Sequence, residues 1–443
     1  MKAPFSDHPG LNPLVSMSFS KVLLFFLYLS IPVTVSAESA LWQDWEFTGF
    51  GTLGYAQSDK YSDLVLKRNV IQRSQEVEDK GWLVDSRLGL QLRKEWGPNW
   101  DLVGQAVAQE KTRNTLESSI EMAFVRYQSR NNWSFRLGRM ALDIFQLSDH
   151  RNVGYSYHWV RPPTEFYGWI LFSHSDGVRV SYDLVNMDGL LRLETYAGTS
   201  EATVNIGYGQ DGSSYNDVKA DINLGLGITW EKNDFSLRAN LTQFSISEDT
   251  EALDELTAFV SATAIQAYWP EATQIAEDYS LKNAKFIYAS LGFSWHSGAW
   301  VLQGEISDID SESFGTYNGQ RAYLQLGHRF GKFLPHLTYS RSWDYRSYPY
   351  DPAPANPAEL PSGTLENLEV TLIDSLSSGI VNQYTISIGV RWDFASQKAL
   401  KVQCDRTTLY DNSLGIYPTP NPAPRNWQED VRTWCSTTFD WIF

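Results

Sequence analysis

Along much of this chain, apolar and polar residues alternate one for one. In Tyr384-Thr385-Ile386-Ser387-Ile388-Gly389-Val390-Arg391-Trp392-Asp393-Phe394, every even position is apolar and every odd one is small or polar apart from nothing larger than Arg391. The runs Ile222 to Trp230 and Val178 to Leu184 behave likewise. A period of two is the signature of a strand with one apolar and one polar face. Segments of about ten residues also match the length of a tilted strand that crosses a bilayer. The pattern predicts strands at 45–55, 85–95, 100–110, 118–129, 132–139, 175–184, 189–198, 219–231, 234–246, 284–296, 299–309, 320–331, 333–345, 382–395, 398–411 and 430–443. The fourth is the least regular and takes no assigned facing.

The connections between these strands sort by parity. Tight turns at Gly97-Pro98-Asn99, Arg130-Asn131, Lys232-Asn233, Ser297-Gly298, Gly331-Lys332 and Ser396-Gln397 alternate with long segments at 56–84, 140–174, 199–218, 247–283, 346–381 and 412–429. Aromatic residues bracket the tight turns: Trp96 and Trp100, Trp133, Trp230 and Phe235, Trp295 and Trp300, Phe330 and Phe333, Trp392 and Phe394. Amphipathic rings at one level make an interfacial girdle. The expected fold is all-β: a 16-stranded antiparallel transmembrane β-barrel with short periplasmic turns and long external loops. Two of those loops carry helical spacing, 250–279 and a short stretch around Leu372 to Leu376.

Composition fits this only because of the alternation. The chain has 17 Trp, 23 Tyr and 22 Phe beside a net charge of −16, a combination natural to strands that need apolar residues at every second position. Lys21, the apolar run Val22 to Leu29 and the small residues Val35-Ser36-Ala37 read as a secretory signal, with Met17 just ahead as an alternative start to Met1. Residues 1–37 are therefore assigned to an upstream extension plus signal peptide, and 38–443 to a single barrel domain. The acidic balance argues against nucleic acid as a partner. The seven histidines show no metal-ligand spacing. His336 and Ser340 share a strand but lie too far apart along it to act as a base and nucleophile. No enzyme, cofactor or metal is expected. Cys404 and Cys435 share lipid-facing parity and sit nearly equidistant from the middle of the connecting loop, so pairing sets them near each other, either as a disulfide or as two adjacent thiols.

The chain ends Thr437-Thr438-Phe439-Asp440-Trp441-Ile442-Phe443, alternating to the last residue. This terminus resembles that of Gram-negative outer-membrane porins, as do Thr385 to Phe394, Ala399 to Arg406, Phe135 to Arg139 and Phe47 to Gly51. The resemblance implies recognition of Phe443 by the barrel assembly machinery and residence among outer-membrane lipids and lipopolysaccharide. It implies a channel for small hydrophilic solutes, with a homotrimer among its assembly options, and a third loop folded back into the barrel.

Parity then says what lines the lumen. Arg87, Arg93, Arg136, Arg179, Arg192, Arg238, Arg321, Arg329, Arg391, Lys401 and Arg432 point inward, with Asp183, Glu194, Asp221, Glu305, Asp393, Asp405 and Asp440. The third loop, 140–174, alternates aromatics with charges, as a segment folded against a charged wall would. Its constriction candidates are Asp149, Arg151, His158, Arg161 and Glu165, facing Arg87, Arg136 and Arg179, with Arg238 and Arg391 elsewhere on the wall. The expected function is passive diffusion of small hydrophilic solutes with a mild anion preference. The alternatives are a channel selective for an anionic or sugar-like nutrient, a barrel adhesin, or an outer-membrane hydrolase. Protease or labelling reagents applied to intact cells are expected to reach 247–283 and 346–381. Labelling at Lys232-Asn233 from outside would overturn this topology.

Overall fold

A computed structural model describes residues 45–58, 66–72, 80–169, 171–186, 189–205, 215–313, 317–344, 353–378, 381–410, 413 and 430–443. The secretory-signal reading and the Met17 start lie outside the described residues. Sixteen long strands follow one another: β1 Trp45–Ser58, β2 Arg87–Trp96, β3 Trp100–Gln109, β4 Ile120–Gln128, β5 Trp133–Ala141, β6 His174–Asn186, β7 Gly189–Asn205 and β8 Tyr215–Lys232. The second half comprises β9 Phe235–Ser245, β10 Lys285–Ser297, β11 Trp300–Ser311, β12 Gly319–His328, β13 Phe333–Asp344, β14 Gln383–Ala395, β15 Lys398–Leu409 and β16 Asp430–Ile442. From β2 onward, each strand pairs antiparallel with the next. A two-residue strand, Lys80–Gly81, pairs with β1 at Gln57 and Ala56. β1 also pairs with β2, and on its other side with β16. The sheet is a closed barrel.

The faces are inverted relative to a water-soluble protein. On β14, Gln383, Thr385, Ser387 and Arg391 are buried, while Ile386 and Ile388 are exposed. On β8, Asn223 is buried and Leu224, Leu226 and Ile228 are exposed. Apolar side chains therefore cover the outside, where lipid meets them, and polar ones line much of the inside, beside a buried apolar cluster that includes Phe145, Trp159, Phe166, Tyr196, Phe244 and Tyr323. The bracketing aromatics lie on that outer surface in contact with one another: Trp100 on Tyr127, Trp133 on Tyr182, and Phe333 on Trp392. The irregular fourth strand has a structural cause. Its pairing with β3 shifts register between Gln105 and Ala106, which breaks the alternation at Glu121. Below the shift, Phe124 is buried, and Arg126 shares its lumen-facing parity.

Helices occur only in connections, and the longer ones sit in the long loops. α1 Glu251–Val260, α2 Thr263–Gln266, α3 Glu271–Tyr279 and α4 Thr364–Ser378 pack Val260, Ile265, Trp269, Ile275, Leu365, Leu368 and Leu372 into a core of their own. Thr250 caps α1 by accepting from the Leu253 backbone N–H. The single helix expected over 250–279 is instead three pieces, with Pro270 immediately before the third. The helix expected around Leu372 begins eight residues earlier, at Thr364.

Closure also fixes the chain end. Phe443 exchanges two backbone hydrogen bonds with Gly49, at 2.8 and 3.0 Å, and its ring lies where a Cβ on Gly49 would stand. Cys404 and Cys435 stand directly opposite on β15 and β16 and are disulfide-bonded, with their Cα atoms 4.1 Å apart. Alkylation of the denatured protein is expected to modify neither cysteine before reduction and both after it. Mass spectrometry finding both thiols alkylated without reductant would remove the bond.

Candidate functional site

The third loop lies inside the barrel, tied by polar contacts to inward side chains on many strands. Arg161 donates to Asp85 at 3.0 and 2.6 Å, and both residues are almost fully buried. Glu165, with no exposed surface, accepts from Ser340 and Gln383, each at 2.6 Å, and from Thr385. The Trp159 indole donates to Thr338 at 2.9 Å. Lys401 donates to the carbonyls of Gly154 and Trp159, and Arg391 to those of Tyr155 and Tyr157. Arg87 donates to the Asn152 carbonyl at 2.6 Å and to the Tyr157 hydroxyl. Across the lumen, Arg238 pairs with Asp143, and Glu305 accepts from the Gln146 N–H and the Tyr167 hydroxyl. At Gly154 the loop touches the wall so closely that a Cβ would stand 2.1 Å from Asp440 Oδ1 and 2.4 Å from Thr52 Oγ1. Only glycine fits there.

The five constriction candidates thus divide. Arg161 and Glu165 are dry anchors: their full burial and their wall partners leave them no face toward an open passage, which corrects the expectation that they oppose the wall across water. Arg151 is also committed, to Glu121 at 3.1 Å and to the Ser173 carbonyl at 2.8 Å. His158 pairs with Gln325 at 3.3 Å. Burial pushes its pKa down to about 3, so it adds no charge near neutral pH. Asp149 alone among the five is exposed, with 55% of its side chain accessible, and it stands 3.8 Å from Arg179.

Beside Asp149 the wall carries a ladder of bases. Arg126, Arg136 and Arg179 are direct cross-strand partners on β4, β5 and β6. Arg126 is held by Asp101 at 2.8 Å. Arg179, almost fully buried, donates to the Ala141 carbonyl and lies within 4 Å of Asp143, Asp149 and Glu194. Among the described residues, no carboxylate comes within 4 Å of Arg136, whose guanidinium lies 5.5 Å from the Phe124 ring. Parity reasoning missed Arg126, because the register shift hides its facing. It also left Asp85, Glu121 and Asp143 out of the lumen count, so the positive excess is smaller than eleven bases against seven acids. For Asp85 a signal existed: it stands two residues before Arg87, with the same parity.

No known sequence family matches this chain, and no curated protein matches it in sequence. Among solved structures it is similar to OmpF of Salmonella typhi in complex with daunomycin, at 11% identity, covering 90% of this chain and 97% of that one, with a TM-score of 0.50. The chain has the fold of the outer-membrane porins. It also matches the anion-selective porin from Comamonas acidovorans (13% identity, 90% and 99% covered, TM-score 0.49). The outer membrane channel DcaP of Acinetobacter baumannii matches at 11% identity, with 90% and 97% covered and a TM-score of 0.47.

In this porin fold the buried ion pairs decide where the loop sits. Breaking one by removing a single partner strands a buried charge, at a cost of about 3–5 kcal/mol. Asp85→Ala takes from buried Arg161 its two shortest hydrogen bonds and leaves it Ser436 at 3.3 Å and Asp405 at 3.8 Å, so the urea unfolding midpoint is expected to fall, by the equivalent of that cost or less, with loop 3 newly open to protease. An unchanged midpoint and digestion pattern would show that this pair does not anchor the loop.

Proposed function

We propose that this barrel is an outer-membrane channel for passive diffusion of small hydrophilic solutes, with a mild preference for anions and a width set by loop 3. The observation that carries this reading is the basic ladder. Arg126, Arg136 and Arg179 occupy three successive strands, and the partly exposed Arg136 has no carboxylate within 4 Å among the described residues. Exposed Asp149 lies beside the ladder, 3.8 Å from Arg179. A wall of like charge in a narrow passage with low-dielectric sides raises the local concentration of counter-ions. The acidic outer loops oppose this at the mouth, but salt screens them over about 8 Å. The porin fold supports the reading, and on the strand that carries His336 the Ser340 hydroxyl is committed to Glu165. The membrane location follows from the same outer face of exposed Leu, Ile and Val.

Planar-bilayer recordings under a KCl gradient test this. The wild-type channel is expected to conduct with a reversal potential on the anion side. Arg136→Ala together with Arg179→Ala is expected to shift that potential toward cations, and deletion of part of 149–161 to raise conductance. Strong cation selectivity in the wild type, or unchanged conductance in the deletion, would defeat the assignment of loop 3 and its facing wall as the selective constriction.

A further inference from the structure

Almost every deeply buried base in this lumen has an obvious acceptor. Arg87 has carbonyl and hydroxyl oxygens, Arg161 has Asp85, Arg179 has a carbonyl and three nearby carboxylates, and Lys401 has two carbonyls and Asp440 at 3.1 Å. Arg321 on β12 is different. It is 1% exposed, yet its Nε and Nη2 atoms have no hydrogen-bond partner, and no carboxylate among the described residues lies within 4 Å. The nearby buried acid, Glu305, is already spent on the Tyr167 and Tyr323 hydroxyls and the Gln146 N–H. Its ring neighbours account for only part of what burial costs the cation. The guanidinium carbon sits 3.7 Å from the centroid of Tyr317 and 5.5 Å from that of Trp169, and the two rings stack at 5.3 Å. Such cation–π contact is weaker than the desolvation it must offset.

The orphan atoms also converge. Arg321 is the direct cross-strand partner of Ser307, whose buried hydroxyl lies beside the Tyr288 hydroxyl and keeps capacity for a second bond. The Trp169 indole N–H, on the ring beside the guanidinium, is buried and unpartnered as well. Nε and Nη2 form one edge of the guanidinium, the edge that grips two oxygens of a carboxylate in parallel hydrogen bonds.

We propose that Arg321, with Trp169 and Ser307, forms a binding subsite for a solute bearing a single carboxylate, on the β11–β12 wall beside the end of loop 3. This deepens the channel reading and rests on it, since the solute must reach the lumen. A carboxylate fits better than a phosphate or sulfate dianion because one guanidinium neutralises one charge, and a second would remain buried without a partner. The Tyr317 and Trp169 rings favour a carboxylate carried on an apolar or aromatic body.

Isothermal titration of the refolded full chain with benzoate, acetate, inorganic phosphate and sulfate tests the site, beside conductance of the same preparation in KCl. Benzoate is expected to bind saturably at one site per chain, more tightly than acetate, with the dianions weaker than either. Arg321→Met is expected to abolish benzoate binding while keeping the folded gel mobility, because a methionine of similar length fills the space without a charge. Trp169→Phe, which keeps a ring and loses the N–H, is expected to weaken binding about tenfold, the effect of one hydrogen bond to a charged group. No saturable benzoate binding, or binding that survives Arg321→Met, overturns the subsite, and tighter binding of phosphate or sulfate overturns its carboxylate assignment. If Arg321→Met misfolds, Trp169→Phe decides: unchanged affinity there overturns the site. A preparation that conducts but does not bind benzoate defeats this inference alone, whereas one that binds but never conducts defeats the channel reading.

Discussion

A chain that crosses a bilayer with strands has nowhere to leave a backbone N–H or carbonyl unpaired, because hydrocarbon offers no partner. Closure of the sheet is the solution, and the remaining features of this protein descend from it. β1 must find β16 on one side and β2 on the other, which it does. Once the ring is closed, each strand has one face in lipid and one in the lumen, so the sequence has to alternate with period two. The apolar half of that alternation is spent outside. The interior is left with serines, threonines, glutamines and charges, and with one aromatic cluster that the third loop packs against.

A polar interior surrounded by protein and lipid carries its own demand. Buried charges cost free energy unless they are paired and hydrogen-bonded, and a row of arginines along one wall cannot pair among themselves. Loop 3 supplies much of what they need, through backbone carbonyls at Asn152, Gly154, Tyr155, Tyr157 and Trp159 and through the carboxylate of Asp143. In return the wall supplies Asp85 for Arg161 and three donors for Glu165. The loop is therefore part of the electrostatic solution to the barrel as well as an obstacle within it. The side chains that anchor it, Arg161 and Glu165, are distinct from exposed Asp149.

This division explains what the sequence could and could not disclose. Strand positions and facing are local properties, written in the alternation of single segments such as 384–394, and all sixteen strands appear close to the places that alternation predicts. Cross-strand opposition of Cys404 and Cys435 is nearly local too, because one connecting loop sets it. Partner choice within the lumen is not local. Arg161 and Glu165 look like pore-facing charges when read along the chain, and only the distant positions of Asp85, Ser340, Gln383 and Thr385 turn them into anchors. Arg126 was hidden for a different reason: the register shift at Gln105 and Ala106 interrupts the parity from which facing is read.

Arg136 and Arg321 show why facing alone does not assign a role. Both point inward, and among the described residues neither has a carboxylate within 4 Å, so parity treats them alike. Arg136 retains contact with lumen water, where solvent and mobile counter-ions balance its charge, and such a group acts at a distance by raising the concentration of anions near it. Arg321 is almost fully buried against aromatic rings, with little access to bulk solvent. There the field of the cation is short of screening and its hydrogen-bonding edge is unsatisfied, so the balancing anion has to be bound at contact. On the proposals made above, the same residue type steers solutes on one wall and holds one on the other, according to how exposed each guanidinium is.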